Sequence, residues 1–218
     1  MPTKPPGIGR PLFETIHALA AGLWLGSLVM SAATAGILFG AMRSLDPSFG
    51  VFEAYTGPQS DLGAGFIQNK VFLAGDVIQF IGATGVLAST IALLAFCGLP
   101  LRRVSTAIRL FSLGAAMILV SYHLFVLVPR MQGNAEAYWR AAEAGEMDAA
   151  QTAHDEFRAD HPTARNEMVA TTLAVAMMLG AGAWSAASGG VAERRVPKSL
   201  PSGLEQPKLA GTNRGASA

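Results

Sequence analysis

Charged residues are scarce in this chain, and cysteine is almost absent. Of its 218 residues, 14% are charged and 51% are hydrophobic, whereas a soluble globular domain carries about 25% charged residues. The single cysteine, Cys97, excludes an internal disulfide and a CxxC metal or redox motif. The charges collect between long uncharged stretches, which is typical of a chain that partitions into a lipid bilayer.

Features of several ligand-binding classes are also missing. The formal net charge is only +1, and no basic patch interleaved with aromatic residues is present. No P-loop and no dinucleotide-binding fingerprint occurs. We therefore predict the lipid bilayer, and no nucleic acid, as the partner of the chain. The sequence identifies no catalytic residue, no metal ligand set and no cofactor.

Four apolar stretches dominate the chain. About 20 apolar residues suffice to cross the hydrocarbon layer as a helix, and no other open structure satisfies the backbone hydrogen bonds in lipid. We predict an all-α fold, a four-helix transmembrane bundle occupying residues 12–192 with two irregular or partly helical outer loops. The predicted helices span residues 12–42, 70–98, 106–130 and 164–190.

The first apolar stretch has an alternative interpretation. Lys4 and Arg10 precede an apolar run that resembles a signal peptide, with a small-residue region at 31–35. However, the run continues to Met42, whereas the apolar part of a signal peptide covers only about 7–15 residues. This length favours a membrane-spanning helix.

The distribution of lysine and arginine predicts the orientation of the chain in the membrane. If residues 1–11 form a short cytoplasmic N-terminus, ten of the 16 basic residues lie on the inner side. Among them are Arg102 and Arg103 in a short turn, together with Arg109. Both termini are then cytoplasmic, residues 193–218 form a disordered cytoplasmic tail, and a bacterial inner membrane fits this bias.

The two predicted outer segments differ in composition. Residues 43–70 are rich in Gly, Pro, Ser and aromatic residues, which indicates an ordered but irregular loop. Residues 131–161 are rich in Ala and Glu and are predicted to be partly helical, with Gly145 separating two short helices.

Helix 1 contains two pairs of glycines spaced four residues apart. These residues are Gly22, Gly26, Gly36 and Gly40. Such a spacing places both glycines of a pair on one face and allows a second helix to approach closely. We predict helix packing within the four-helix bundle, and the alternative is the contact face of a homo-oligomer.

Asp76 is the most informative polar residue, because a carboxylate is costly at membrane depth and must face the bundle interior or water. Gln79 lies one turn further on the same face. His123 lies at a similar distance from the outer end of helix 3. Asn166 and Arg130 lie on the same outer side. These five residues form a candidate ligand or ion site, and a purely structural set of contacts is the alternative.

The remaining histidines give weaker signals. His17 lies near the inner end of helix 1, on the order of 15 Å in depth from His123 at 1.5 Å per residue. One haem iron could not take both as axial ligands. His17 resembles an interfacial anchor together with Trp24. His154 and His161 lie among acidic residues of the second outer loop. We predict a solvated charged helix there, and a weak divalent-metal site is the alternative.

Three short stretches carry a resemblance to a known family. They are the His17 to Gly26 segment, the Ser48 to Tyr55 segment with its glycine and aromatic residues, and Val128 to Met131 together with Phe157 and His161. The chain resembles the family called domain of unknown function 4149, which includes transmembrane-protein-205-like proteins. The resemblance implies four transmembrane helices and leaves the activity unassigned.

Two functional hypotheses follow. The first is a non-enzymatic membrane protein, a structural, accessory or ion-handling component with a polar site near the outer face. The alternative is a membrane redox subunit that binds haem or a metal through histidines.

Overall fold

The computed structural model describes the backbone of residues 9–194 and the side chains of residues 9–187. The predicted disordered tail and most of the predicted N-terminal segment lie outside the described residues. Within this part of the chain the structure is helical and contains no strand. The predicted all-α four-helix bundle is therefore confirmed.

Five α-helices and two short irregular helical segments make up the structure. They are α1 (Gly9–Leu45), a 3-10 turn (Gly50–Phe52), α2 (Gln59–Cys97), α3 (Val104–Tyr122), a π segment (His123–Leu127), α4 (Val128–Ala144) and α5 (Met147–Arg194). The α3, π and α4 segments run on without a break. Four helical rods result, and each is long enough and apolar enough to cross a membrane.

The two ends of the bundle differ. The turn end holds the start of α1 and the short connection between α2 and α3. The capped end holds the connection between α1 and α2 and the hairpin of α4 and α5. The chain therefore runs from the turn end to the capped end in α1 and α3, and it returns in α2 and α5.

The rods extend further than the sequence predicted. α2 begins at Gln59 rather than near residue 70, and α5 begins at Met147 rather than near residue 164. α5 is 48 residues long and includes Pro162. As predicted, Gly145 separates two helical segments: it ends α4 with φ +74°, a backbone conformation that glycine adopts without steric cost.

The extra helical turns form a small second core at the capped end. Phe52, Tyr55 and Leu62 pack against Tyr138 and against small residues of the α4–α5 hairpin. The Tyr55 and Tyr138 hydroxyls are hydrogen bonded at 2.9 Å. The connection between α1 and α2 is therefore part of the capped end, because its aromatic side chains pack against the α4–α5 hairpin.

The main core lies inside the bundle. Trp24, Leu28, Val86, Val120 and Met178 are among its fully or almost fully buried residues. Large apolar side chains also cover the outer surface of the helices, where no water-soluble fold would place so many. Helices that are apolar both towards the core and on the outer surface of the bundle are typical of a multi-pass membrane protein.

Glycines of α2 allow α1 and α2 to pack closely. A Cβ added at Gly82 would lie 2.8 Å from the Trp24 Cβ, and one at Gly75 would lie 2.8 Å from the Ser31 hydroxyl. Gly82 tolerates no side chain without a shift of α1, because it faces Cβ and backbone atoms, whereas at Gly75 the Ser31 hydroxyl would have to rotate away. The small residues that allow α1 and α2 to pack closely are therefore on α2.

The four glycines singled out on α1 have a different environment. A Cβ added at Gly22, Gly26, Gly36 or Gly40 meets nothing within 4 Å among the described residues. Packing inside the four-helix bundle therefore does not explain them, contrary to the sequence interpretation. They lie on the surface of the helix that faces away from its own bundle.

Candidate functional site

Three side chains from three helical segments meet near the capped end. The His123 Nε2 lies 3.0 Å from Asp76 Oδ1, and the His123 Nδ1 lies 3.0 Å from Glu167 Oε2. We call Asp76, His123 and Glu167 the polar triad. Its side chains are 12%, 18% and 7% exposed, so all three are largely removed from solvent.

The two histidine contacts are not equivalent. The contact with Asp76 has hydrogen-bond geometry, whereas the Nδ1 has no aligned hydrogen-bond partner among the described residues despite its 3.0 Å distance from Glu167. The Glu167 contact is therefore a close electrostatic contact. It can become a hydrogen bond after a small rotation of either side chain.

Two further residues fix the carboxylates. Gln79 donates a hydrogen bond from Nε2 to Asp76 Oδ1 at 3.2 Å, as its position one turn further on α2 predicted. Thr171 donates from Oγ1 to Glu167 Oε1 at 2.6 Å, also from the next turn of its helix. Both carboxylates are thus held in place by their own helix.

His123 is the first residue of the π segment, and Pro129 accounts for the position of that segment. Proline has no backbone N–H and its ring crowds the carbonyl four residues earlier, so a regular α-helix cannot pass through it undisturbed. The chain adds a residue to the turn instead, and the Val128 N–H bonds to the His123 carbonyl. Such π segments occur frequently at functional sites.

The structure brings together three of the five candidate site residues, Asp76, Gln79 and His123. Asn166 does not join them, because its side chain is exposed. Arg130 is also outside the triad. It lies on the surface with its side chain 51% exposed and binds Asp160 on α5, with Nε 2.7 Å from Oδ2.

Glu167 takes the place that the sequence interpretation gave to its neighbour Asn166. The register of α5 distinguishes the two residues. Glu167 continues toward the buried Thr171, Ala174, Ala181 and Ser185, all of which are small or polar. Asn166 continues toward Val169, Leu173 and Met177, which are 53%, 59% and 54% exposed. The spacing of small and polar residues along α5 therefore indicates that Glu167, and not Asn166, lies on the buried face.

A second polar cluster lies near the turn end. Arg109 donates from Nε to His17 Nε2 at 3.2 Å and from Nη1 to Glu14 Oε2 at 2.8 Å. The His17 Nδ1 lies 3.3 Å from the Ser89 hydroxyl and 3.2 Å from the Thr90 hydroxyl. We call these five residues the turn-end cluster.

Burial in this cluster corrects two sequence interpretations. His17 is 2% exposed and is not an interfacial anchor. Arg109 is 1% exposed and lies inside the bundle, so it is not one of the basic residues at the membrane surface. Its carboxylate partner, Glu14, is 95 positions away in the chain, a pairing that no local pattern reveals.

The two histidines stand far apart along the bundle axis. Arg109 contacts His17 and precedes His123 by 14 residues of one helical rod, which corresponds to about 21 Å at 1.5 Å per residue. The main core fills the space between them. The Nε2 of each histidine is held by a protein group, whereas a haem ligand presents this nitrogen to the iron.

The two remaining histidines lie in the hairpin. The His154 ring stacks on the Tyr138 ring with centroids 4.8 Å apart, and the His161 ring lies 5.9 Å from the ring of Phe157. Within residues 9–194, no group of three or more His, Cys, Asp or Glu side chains has the arrangement of a metal site.

Comparison with known proteins adds no assignment. No family model, no curated protein and no solved structure matches this chain. The fold and the triad therefore define the chain as a four-helix protein of membrane-spanning dimensions with a buried carboxylate–imidazole–carboxylate group.

Proposed function

We propose that the chain is an ion-handling membrane component and that its ion is the proton, bound at the polar triad. One observation carries this proposal: His123 has a carboxylate oxygen 3.0 Å from each of its ring nitrogens. Histidine and carboxylate chains of this kind form proton-binding and proton-relay sites in membrane proteins.

Counting protons gives the charge of the site. Each nitrogen–oxygen contact requires a proton on one of its two atoms, because two lone pairs would otherwise face each other at 3.0 Å. Two carboxylates and one imidazole that share two such protons carry a net charge of −1. One additional proton makes the group neutral, which burial in a low-dielectric interior favours.

The partial exposure of Asp76 and His123 supports exchange of this proton. Their side chains are 12% and 18% exposed, whereas Glu167 is 7% exposed. The second oxygen of Asp76 has no role in the contacts described above. We infer that the additional proton enters at Asp76 and that Glu167 is the more deeply held partner.

Infrared difference spectroscopy after a pH jump tests the proposal on the purified protein in lipid nanodiscs. We expect a carboxylic-acid band that appears on acidification and is absent from Asp76→Asn. Asp160→Asn is the matched control, because Asp160 is similarly buried but lies outside the triad and is paired with Arg130. A wild-type spectrum without such a band, or with one that disappears only in the control, would refute proton binding at the triad.

We propose that both termini are cytoplasmic and that the capped end faces outward, in a bacterial inner membrane. The exposed Arg102 and Arg103 in the turn between α2 and α3 support this orientation. Arg109 does not contribute to this bias, because that residue is buried.

We also propose that the chain is a distant member of the domain of unknown function 4149 family, supported by the His17 to Gly26 segment.

We propose in addition that the chain forms a homo-oligomer through α1. The support is that Gly22, Gly26, Gly36 and Gly40 face open space on a helix that crosses the membrane. Packing without a hydrophobic driving force depends on such small residues, because they allow two backbones to approach.

A haem-binding redox subunit is the alternative, and the geometry supports it less. Both His17 and His123 use Nε2 in contacts with charged side chains. An absorption spectrum of the protein purified from haem-sufficient cells decides this question. A Soret band that is lost in His123→Gln or in His17→Gln would favour the redox subunit over the proton site.

A further inference from the structure

Several buried polar groups near the turn end have no protein partner. Among the described residues, the Thr106 hydroxyl, the Arg109 Nη2, the Ser112 hydroxyl and the Ser185 hydroxyl make no hydrogen bond. These four residues are between 1% and 4% exposed. Buried polar groups are almost always hydrogen bonded, so a cluster of exceptions indicates an unidentified partner.

The register of the helices places these groups close together. Thr106, Arg109 and Ser112 are spaced by three residues on the buried side of α3, so neighbours differ by about 4.5 Å along the axis. Ser185 lies 18 residues beyond Glu167, and Thr106 lies 17 residues before His123. Because Glu167 and His123 are in contact and α3 and α5 run in opposite directions, Ser185 and Thr106 are level.

Trp24 marks the far limit of this polar region. Its indole N–H is also buried and makes no hydrogen bond within the part of the chain that the structure describes. Trp24 lies seven residues beyond His17 on α1, and Ala116 lies seven residues beyond Arg109 on α3. The contact between His17 and Arg109 therefore places Trp24 level with Ala116, one turn above Ser112. Leu28 and Val120 of the main core follow above it.

We propose that water passes from the turn end along the turn-end cluster, Thr106, Ser112 and Ser185 as far as Trp24, and we call this path the inlet. Its groups are closed off from solvent in the structure, so water enters when the helices open locally. Water suits these groups because one buried water satisfies about three donors and acceptors. Glu14 is 22% exposed and gives the inlet its connection to the turn end. The apolar layer of Leu28 and Val120 separates the inlet from the polar triad.

The charge of the region favours water over an ionic ligand. Glu14 and Arg109 neutralise each other at 2.8 Å. The His17 Nε2 accepts a hydrogen bond from the Arg109 Nε–H, so the proton of the imidazole lies on Nδ1 and the ring is neutral. A small anion or cation would add an uncompensated charge to this region, whereas a neutral polar molecule adds none.

Cysteine accessibility tests the inlet. In a Cys97→Ser background, single cysteines replace Thr106 and Ser112. Ser112→Cys exchanges only oxygen for sulfur, whereas Thr106→Cys also removes a methyl group, as the control variant does. Val120→Cys is the matched control, because Val120 is 2% exposed and belongs to the apolar layer. The probe is an anionic, membrane-impermeant methanethiosulfonate, which reacts with the thiolate that forms only in water.

We expect Thr106→Cys and Ser112→Cys to react at least about tenfold faster than Val120→Cys, because only hydrated thiols ionise readily. The reaction should require reagent on the side of the turn end. Equal rates for the three cysteines, or reaction only from the capped side, would overturn the inlet.

A measurement on the unmodified protein guards against effects of the substitutions. The indole N–H of Trp24 should exchange in D₂O within the lifetime of an NMR experiment, although its side chain is 0% exposed. Protection of this proton as strong as that of the core backbone amides would contradict the inlet. Neither result depends on proton binding at the triad, so the two proposals can fail separately.

Discussion

At the scale of single residues, the polar triad is a set of charges that compensate one another. His123→Ala leaves Asp76 and Glu167 buried without the imidazole between them. Removing one member of a buried charge set costs about 3–5 kcal/mol. We therefore expect a loss of this order in the free energy of unfolding, measured by denaturant titration with circular dichroism.

A double-mutant cycle separates this charge effect from the loss of packing. Asp76→Asn together with His123→Ala should cost clearly less than the sum of the two single substitutions, because the residues are in direct contact. Additive effects of the two substitutions would mean that the contact contributes nothing to stability.

A second prediction at this scale concerns Gly82. A methyl group there would lie 2.8 Å from the Trp24 Cβ and 3.1 Å from the Ala20 carbonyl oxygen. We expect Gly82→Ala to lower the free energy of unfolding by about 1–3 kcal/mol, the usual cost of overpacking. Gly114→Ala is the control, because a Cβ there meets nothing within 4 Å. Equal stability of the two variants would show that α1 and α2 pack less tightly than described.

At the scale of helices, Pro129 determines where His123 points. Replacing Pro129 with alanine restores a backbone N–H that can bond to the Phe125 carbonyl in a regular α-helix. We expect the π segment of Pro129→Ala to revert to α-helix, which rotates His123 away from its carboxylates. The Asp76→Asn substitution should shift the NMR signals of the His123 ring in the wild-type background, because the two residues are in contact, and should leave them unchanged in the Pro129→Ala background.

Pro162→Ala provides the matched comparison. Pro162 also lies inside a helix, but the structure continues there as regular α-helix. The His123 signals should be unaffected by this substitution. A Pro129→Ala protein with wild-type His123 signals would mean that neighbouring helices, and not the proline, impose the π segment.

The open glycine face of α1 leads to a prediction about association between helices. Gly22→Ile and Gly26→Ile should lower the fraction of homo-oligomer several-fold in cross-linking experiments in liposomes, because a large side chain keeps the backbones apart. Gly114→Ile should have no effect, since that glycine is equally open but lies on α3. A monomeric wild-type protein would remove this proposal.

At the scale of the whole molecule, the orientation in the membrane is open to a direct test. In a Cys97→Ser background, Glu146→Cys lies at the capped end and Leu101→Cys at the turn end, both at exposed positions. In intact cells, an impermeant maleimide should label the first and spare the second until the membrane is permeabilised. The reverse pattern would invert the proposed topology.

The whole molecule also shows why two separate polar regions can exist in one small bundle. The triad and the turn-end cluster are about 21 Å apart along the axis, and the intervening core contains Leu28, Val86, Val120 and Met178. A continuous file of polar groups would leak protons. The apolar layer of the main core keeps the two polar regions apart, as both proposals require.

The four long apolar runs suffice to predict the four helices, because a single segment in hydrocarbon satisfies its own backbone hydrogen bonds only as a helix. The sequence also brought Asp76, Gln79 and His123 into one neighbourhood. Asp76 and Gln79 are one helical turn apart, and the depth of His123 follows from counting residues along an antiparallel helix.

Three further features depend on packing between the helices: the helix extensions, the position of Glu167 and the burial of Arg109. Beyond the bilayer, water can satisfy the backbone in any conformation, so composition did not reveal that residues 59–70 and 147–163 continue the helices. Inside it, both faces of α5 are largely apolar, and packing showed that the face with the small and polar residues, which includes Glu167 and not Asn166, is the buried one. The burial of Arg109 depended on a partner 95 positions away, since a charge enters the bundle only where the fold supplies its counter-charge.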